Sequence, residues 1–233
     1  MDPNYHLDEL DETGNAWETM LRRMLAGAPG DRVLDVGSGS GFLSILLGQM
    51  GYRVTGLDSY PLMVRMGRGT AEQYGLSDRV DFQEGDAAWM VIPTDTYDIV
   101  VSRYSSFLFR TPEECLRECR RVLKPGGIFL NFDMNWLAPV LSPEAGERFR
   151  QDDRAYTEKF GPCHDMYHND QVLEQMKTLP LAAADRPGWD VEFLKEIGYS
   201  EVSAEFHPDA GLWNEKAALR YRSIPTFSVR AVK

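Results

Sequence analysis

Hydrophobic residues along this chain follow two patterns, namely short continuous runs and positions spaced three or four residues apart. The first continuous run lies at residues 33–36, and the first stretch with helical spacing follows it at residues 42–50. A continuous run is typical of a buried parallel strand, whereas the spaced pattern is typical of a helix. Four further runs follow, so residues 31–133 are predicted to form five strands that alternate with helices. Such alternation indicates a parallel α/β sheet with helices on both faces.

Three glycines, Gly37, Gly39 and Gly41, separate the first strand from its helix. Glycine lets a ligand approach the backbone closely, and the free N–H groups at the start of a helix point toward it. Dinucleotide-binding turns usually carry G-x-G-x-x-G, but the last glycine here comes one residue earlier. Asp35, near the end of the strand, would repel a pyrophosphate and attract an ammonium group. The turn therefore predicts a ligand other than a dinucleotide.

A second acidic position follows the next strand. Asp58 lies about 20 residues beyond the first glycine, where a carboxylate can accept hydrogen bonds from both hydroxyls of a nucleoside ribose. The alternative is that Asp58 caps the helix that begins after Ser59 and Tyr60, and the two roles are compatible. A nucleoside ligand is the interpretation that the position of Asp58 favours.

These elements together resemble the class I S-adenosylmethionine-dependent methyltransferases. The resemblance rests on D-x-G-x-G-x-G at 35–41, V-D-F-Q-E-G-D-A at 80–87, Y-D-I-V-V-S-R at 97–103 and R-V-L-K-P-G-G at 121–127. It implies an α/β fold with a doubly wound, mostly parallel seven-stranded sheet whose last strand is antiparallel. It also implies S-adenosylmethionine as the cofactor. Ser-Arg-Tyr-Ser at 102–105 departs from the Asn/Asp-Pro-Pro-Tyr motif of enzymes that methylate amino groups on adenine, cytosine or glutamine, which argues against that activity.

The resemblance also implies cofactor contacts. Asp58 would hold the ribose, Met63 would line the adenine pocket, and Asp86 and the backbone N–H of Ala87 would meet the adenine ring. Arg103 would contact the methionine carboxylate or form the lip of the site. Core packing of Met63 and solvation of Asp86 in a turn are the alternatives. The predicted cofactor-binding residues are Asp35, Gly37, Ser38, Gly39, Gly41, Asp58, Ser59, Met63, Gly85, Asp86, Ala87, Ser102 and Arg103.

The chain is predicted to consist of four segments. They are an N-terminal helical extension (1–28), the cofactor-binding α/β core (29–133), a helical insertion (134–189), and a helix with two strands that completes the sheet (190–233). The insertion is too long for a simple connection, and in the resembling enzymes such insertions form a lid over the substrate. Helices are predicted near residues 15–25, 143–159, 168–178 and 190–197, and the last strands at 200–207 and 225–232.

Aromatic residues in the insertion could form an apolar pocket for the methyl acceptor. Asn131, Asp133 and Asn135 alternate at the end of a strand, which places them on one face. Packing between lid and body is the alternative role of the aromatic residues, and solvation of a loop is that of the polar ones. The predicted substrate-binding residues are Tyr104, Asp133, Asn135, Trp136, Tyr156, Phe160, Tyr167 and Trp213.

The segment Cys163-His164-Asp165-x-x-His168 carries two histidines close together. His164 and His168 are the predicted catalytic residues, because a histidine can remove a proton from a thiol, hydroxyl or amine acceptor near neutral pH. Two alternatives stay open, namely that both are surface histidines of a lid and that cysteine and histidine here bind zinc. The predicted site includes no metal.

Composition narrows the list of partners. The 233-residue chain has a formal net charge of −11 and three cysteines. Excess negative charge disfavours nucleic acid, and an odd number of cysteines does not suggest a disulfide framework. No apolar stretch is long enough to cross a membrane and no signal peptide is visible, so the expected location is the cytoplasm.

The predicted function is in-line transfer of a methyl group from S-adenosylmethionine to an oxygen, nitrogen or sulfur atom of a small molecule. Its substrate would be enclosed by a lid that keeps the site dry. A non-catalytic or regulatory protein that binds S-adenosylmethionine remains an alternative, and so does a nicotinamide-dependent oxidoreductase. The glycine spacing and Asp35 oppose the second of these.

Overall fold

A computed structural model describes residues 5–163, 165–207 and 211–233. Its centre is a seven-stranded sheet of order β3-β2-β1-β4-β5-β7-β6. The strands are β1 (Arg32–Val36), β2 (Arg53–Asp58), β3 (Val80–Glu84), β4 (Tyr97–Arg103), β5 (Leu123–Met134), β6 (Ser200–Phe206) and β7 (Thr226–Val232). The α-helices are α1 (Tyr5–Met24), α2 (Phe42–Gln49), α3 (Pro61–Gln73), α4 (Pro112–Val122), α5 (Ala138–Leu141), α6 (Pro143–Phe160), α7 (Asp170–Lys177), α8 (Gly188–Glu196) and α9 (Glu215–Tyr221).

The predicted α/β sheet is confirmed, including its antiparallel strand. β1 pairs in parallel with β2 and β4, and β7 runs antiparallel between β5 and β6. The central strands are buried on both faces, and two hydrophobic clusters lie on opposite sides of them. Strand order reverses between β1 and β4, and ligands of open α/β sheets bind at the carboxyl ends of the strands on either side of such a reversal.

Two sequence-based predictions about elements are wrong. The described residues between β3 and β4 contain no helix: residues 85–96 form turns, with an isolated bridge between Asp86 and Trp89. Pro93 and Asp95 interrupt this stretch, which leaves no run long enough for a helix. Helix α1 begins at Tyr5 rather than near residue 15. Its first half has little apolar periodicity, and Leu10 is nevertheless buried against the core.

The N-terminal helix α1 packs against the sheet near the carboxyl ends of its central strands. Trp17 of α1 is fully buried and meets the rings of Phe42 and Phe132 edge to face. Its indole N–H donates to the carbonyl of Leu212, 2.7 Å away, in the segment between β6 and β7. These contacts fix α1 beside the carboxyl ends of β4 and β5. None of the helices in the described part of the chain is both long and apolar enough to span a membrane.

Two glycines of α3 offer a matched test of its packing. A Cβ atom at Gly67 would lie 2.5 Å from the ring of Phe82, whereas one at Gly69 would meet nothing within 4 Å. Gly67→Ala is expected to lower the free energy of unfolding by about 1–3 kcal/mol through overpacking. Gly69→Ala is expected to raise it by about 0.5–1 kcal/mol, because alanine favours a helix. Urea unfolding of both variants checks this, and equal effects of the two substitutions would contradict the packing.

Candidate active site

A cavity of about 580 Å³, here called the main cavity, lies at the carboxyl ends of β1, β2 and β4. Most of the predicted cofactor-binding residues line it. They are Asp35, Gly37, Ser38, Gly39, Asp58, Ser59, Gly85, Asp86, Ala87 and Arg103. The structure therefore brings together residues from four separate predicted motifs. The parallel register of β1, β2 and β3 produces this arrangement, because it aligns the ends of the strands.

The glycine turn has a backbone that only glycine adopts easily. Gly37, Gly39 and Gly41 have φ values of 68°, 54° and 104°. A side chain at Gly37 would collide with Ser105, whose Oγ would lie 2.4 Å from the added Cβ. At Gly39 the same atom would meet nothing within 4 Å. Gly39 therefore leaves open space beside the main cavity, where a ligand can approach the backbone.

Asp58 holds the glycine turn against β2. Its Oδ2 accepts a hydrogen bond from the Gly39 N–H at 2.9 Å, and its Oδ1 accepts one from the Tyr60 N–H at 2.9 Å. The N-cap residue of α3 is Tyr60, so Asp58 does not take the capping position that was its alternative role. Each oxygen keeps a further lone pair for a ligand hydroxyl.

Asp35 is buried beneath the turn. Its Oδ2 accepts a hydrogen bond from the Ser44 hydroxyl at 2.7 Å. Burial raises the pKa of Asp35 to about 7. The hydrogen bond from Ser44 lowers this pKa, and the negative charge of Asp58 raises it further. A cation entering the main cavity would stabilise the ionised carboxylate and lower this pKa again.

The raised pKa gives the cofactor-free protein a pH dependence with a definite sign. Above about pH 4 an unfolded aspartate loses its proton, while folded Asp35 keeps it until about pH 7. The stability that Asp35 provides is therefore present below pH 4 and lost as the pH rises through 7. Relative to Asp35→Asn, the wild type should lose up to about 4 kcal/mol between pH 4 and 8. Denaturant titrations at several pH values test this, and parallel stability curves would contradict it.

Arg103 lies at the wall of the main cavity in a buried ion pair. It meets Glu9 of α1 at 2.6 Å, and both side chains are less than a tenth exposed. Its guanidinium carbon lies 3.8 Å from the ring centre of Phe42 and 4.8 Å from that of Trp17. Its buried Nε makes no hydrogen bond to any described residue. The N-terminal helix thus fixes the position of a cation at the site.

Tyr104, the next residue, has an unusual backbone. Its φ of 55° is in the left-handed region, which costs energy for a residue other than glycine. Burial raises the pKa of its hydroxyl, and this buried oxygen has no hydrogen-bond partner among the described residues. A strained backbone and an unpaired buried hydroxyl, in a residue that lines the main cavity, are features typical of a functional site.

Three predicted cofactor residues do not line the main cavity. Gly41 is the N-cap of α2, and a Cβ there would lie 2.7 Å from the Phe82 ring, so this glycine serves close packing. Ser102 is buried and its hydroxyl lies 2.7 Å from that of Ser105. Met63 is half-buried on α3. Their roles in cofactor binding stay predictions.

Of the predicted substrate-binding residues, only Tyr104 lines the main cavity. Its ring belongs to an aromatic cluster formed with Trp136, Trp213 and Tyr221. Ring centres in this cluster are 5.7 Å apart for Tyr104–Trp136, 6.2 Å for Tyr104–Trp213, 6.0 Å for Trp136–Tyr221 and 5.5 Å for Trp213–Tyr221. The sequence places Tyr221, like Trp213, between the last two strands in a region that can reach the site, and the structure puts its ring against Trp136 and Trp213.

The other predicted aromatic residues pack farther from the main cavity. Tyr156 and Phe160 of α6 contact each other, with ring centres 5.4 Å apart. Tyr167 donates its hydroxyl to the carbonyl of Trp136 at 2.6 Å. Asn135 and Trp136 line a second cavity of about 170 Å³ that is mostly apolar. The role of all these residues in binding a substrate stays a prediction.

Asp133 lies in a buried polar cluster with Ser106, Arg186 and Asp190, here called the Arg186 cluster. Arg186 donates to Asp133 at 2.8 Å and to Asp190 at 2.7 and 2.8 Å. Asp133 also accepts hydrogen bonds from the Phe107 and Met134 N–H groups and from the indole of Trp136. Asp133 is fully buried, and both of its carboxylate oxygens accept hydrogen bonds from groups of the protein itself. Its surroundings are therefore those of a residue that stabilises the fold.

His164 lies outside the described residues, and the structure places His168 away from the main-cavity lining. His168 Nδ1 lies 3.2 Å from Asp165, and its Nε2 lies 3.4 Å from Asp153. Catalysis by either histidine stays a prediction.

Several residues that line the main cavity were missed in the sequence. Ser40, Phe42 and Leu43 belong to the turn and its helix, so their position could have been inferred from the motif. Leu108, Phe109, Arg110 and Thr111 follow the end of β4, where topology alone indicates a place beside the ligand. The complete list of missed residues is Ser40, Phe42, Leu43, Leu57, Ser105, Leu108, Phe109, Arg110, Thr111 and Cys115.

Comparison with known proteins agrees with this geometry. Residues 34–131 match the family model of a methyltransferase domain. A 2-phytyl-1,4-naphtoquinone methyltransferase of Synechococcus elongatus is 35% identical over 125 residues, which cover 51% of this chain and 52% of the relative. A ubiquinone/menaquinone biosynthesis C-methyltransferase of Roseobacter denitrificans is 32% identical over 123 residues, covering 52% and 49%. The chain spans about half the length of these curated relatives.

A solved structure shows the same fold. A SAM-dependent methyltransferase from Aquifex aeolicus superposes with a TM-score of 0.59 at 18% identity, covering 100% of this chain and 98% of that one. Residues 34–131 are thus similar to a methyltransferase domain, and the sheet order and the glycine turn agree with that similarity.

Proposed function

We propose that this protein transfers a methyl group from S-adenosylmethionine to a small-molecule acceptor by in-line displacement in the main cavity. The observation that carries the proposal is the convergence of Asp35, the open Gly39 turn and Asp58 on one cavity. Asp86 and Ala87 lie on another part of the same wall. The cavity thus offers Asp35 for an ammonium group, Asp58 for a ribose, and the loop with Asp86 and Ala87 for an adenine.

The residues present fit the cofactor. Gly39 leaves a cradle that a side chain would fill, and the buried Ser38 hydroxyl has no partner among the described residues. Asp35 and Asp58 supply negative charge for the ammonium and acceptors for the ribose hydroxyls. Arg103 supplies a buried cation whose Nε is unpaired, which suits the carboxylate of the amino-acid tail.

When bound, the cofactor supplies a methyl group that is already activated by a positively charged sulfur. The protein's own task is to orient both reactants on one axis, which can contribute about 7–11 kcal/mol in favourable cases. Asp58 holds the nucleoside end, and Asp35, the glycine turn and Arg103 hold the amino-acid end. Tyr104 lines the main cavity, so its side chain can bound the space that an acceptor would occupy.

A small acceptor suits the site better than a polymer does. The main cavity is partly walled by Tyr104 and Leu108, and the aromatic cluster adds apolar surface behind Tyr104. A chain of net charge −11 disfavours a polyanionic substrate. Because the quinone relative is named a C-methyltransferase, we add carbon to the oxygen, nitrogen and sulfur acceptors predicted from the sequence. We propose that the helical insertion acts as the lid.

The proposal is tested by turnover with a panel of quinols, phenols, thiols and amines. We expect S-adenosylhomocysteine to form only when an acceptor of one of these classes is present. Gly39→Ala should abolish it, because the added methyl group enters the space open to the ligand. The same variant should still fold, since a left-handed alanine costs about 1–2 kcal/mol. Cofactor binding without turnover of any acceptor would favour the non-catalytic alternative.

A further inference from the structure

Five polar side chains meet where the loop after α6 contacts α6 and α9. Cys163, Asp165 and His168 each direct one metal-binding atom to the same place, and these atoms all lie within 4.8 Å of one another. Asp153 of α6 and Arg220 of α9 surround this group. None of these residues lines the main cavity, and the proposed methyl transfer does not use them.

We propose that Cys163, Asp165 and His168 form a zinc-class transition-metal site that fixes the described residues of the loop after α6, 161–163 and 165–169, onto α6 and α9. Thiolate, carboxylate and imidazole are the ligands that Zn²⁺ prefers. Ligands of a tetrahedral zinc ion lie about 3.5 Å apart, so the present spacing needs a movement of about 1 Å or less. Three protein ligands leave a fourth position for water.

Charge in the group is balanced once a divalent ion enters. A thiolate and one carboxylate neutralise Zn²⁺, while neutral imidazole adds no charge. Arg220 is balanced by Asp153, which accepts a hydrogen bond from its Nη1 at 2.7 Å. The Cys163 thiol proton and any proton on Nδ1 of His168 leave to solvent when the metal binds.

The surrounding residues orient the ligands as outer partners of metal sites do. Arg220 donates from Nε to Asp165 Oδ2 at 2.7 Å, which leaves Oδ1 on the side of His168 Nδ1, 3.2 Å away. The carboxylate of Asp153 lies 3.4 Å from His168 Nε2 and favours the proton on that nitrogen. Nδ1 is then the nitrogen that binds the metal. Arg220 is itself 1% exposed, so this support is rigid.

The site would act on the acceptor side of the protein. Tyr167, within the fixed loop, donates its hydroxyl to the carbonyl of Trp136. The Trp136 ring contacts Tyr104, which lines the main cavity. Cofactor binding at the glycine turn should therefore not depend on the metal. The metal site itself does not rest on the proposed function.

Titration of the metal-free full chain with Zn²⁺ and with Co²⁺ tests the proposal. Calorimetry should show one Zn²⁺ per chain, and Co²⁺ should produce the charge-transfer absorption of a cobalt–thiolate bond. That absorption should report Cys163, because neither Cys115 nor Cys119 belongs to a group of possible metal ligands in the described part of the chain. Absence of both signals in the wild type would overturn the proposal without any variant.

Variants locate the site. Cys163→Ser and His168→Ala should each weaken Zn²⁺ binding at least tenfold, and Asp153→Asn should weaken it about 10–100-fold as an outer partner. His207→Gln is the matched control, because this histidine bonds to Ser228 in another part of the fold and should leave affinity unchanged. Equal Zn²⁺ affinity in the wild type and Cys163→Ser would show that the group is only a network of ion pairs.

Discussion

Arg186→Met is expected to lower the free energy of unfolding by about 3–5 kcal/mol, the largest loss of stability among the substitutions considered. Arg186 is 2% exposed at its side chain and lies between Asp133 and Asp190, which are 0% and 4% exposed. Removing the guanidinium leaves two buried carboxylates facing each other without a cation. The cost of that uncompensated charge exceeds what the methionine side chain regains by packing. Chemical denaturation at pH 7 measures the effect.

A surface arginine provides the control. Arg53 forms a bidentate pair with Asp31 at the amino-terminal ends of β2 and β1, but these side chains are 65% and 51% exposed. Arg53→Met should change the free energy of unfolding by less than about 1 kcal/mol, since solvent screens the pair. A loss of the same size for both variants would contradict the structural role of the Arg186 cluster.

Asp58→Ala is expected to weaken S-adenosylhomocysteine binding by at least tenfold. The substitution removes the proposed acceptor for two ribose hydroxyls. It also frees the N–H groups of Gly39 and Tyr60, so the glycine turn loses its link to β2. Both effects act on the same ligand. Calorimetric titration of the variant with S-adenosylhomocysteine measures the loss.

Asp81→Ala is the control for this experiment. Asp81 lies on the neighbouring strand β3, and its side chain is 63% exposed in a pair with Arg68. Its removal should leave affinity unchanged. If Asp58→Ala bound the ligand as tightly as the wild type and remained folded, the ribose assignment would be wrong.

The sequence predicted those parts of the site that are built from one local stretch of chain. A strand, three glycines and a helix at residues 33–50 define a ligand turn wherever they occur, because backbone conformation and helix ends are local properties. The position of Asp58 followed from the length of one strand–helix–strand unit. The order of the remaining motifs came from the resemblance, and the structure brings Gly85, Asp86 and Ala87 to the same cavity.

Contacts between distant residues could not be predicted in the same way. Glu9 and Arg103 are 94 positions apart, and neither has a local pattern that reports the pairing. Arg186 reaches Asp133 across 53 positions. Asp133 was expected at the substrate because it alternates with other polar residues along β5, yet that alternation fits a buried ion cluster equally well. Spacing along a strand gives the face of the sheet, but tertiary packing decides what lies above it.

The central claim is that the main cavity holds S-adenosylmethionine, and direct calorimetry of the purified full chain tests it. Titration with S-adenosylhomocysteine should give saturable binding with one site per chain. Near pH 6 it should also release a proton, because the ligand's ammonium lowers the pKa of Asp35 from about 7. Absence of binding to S-adenosylmethionine and S-adenosylhomocysteine, together with tight binding of a nicotinamide dinucleotide, would contradict the account.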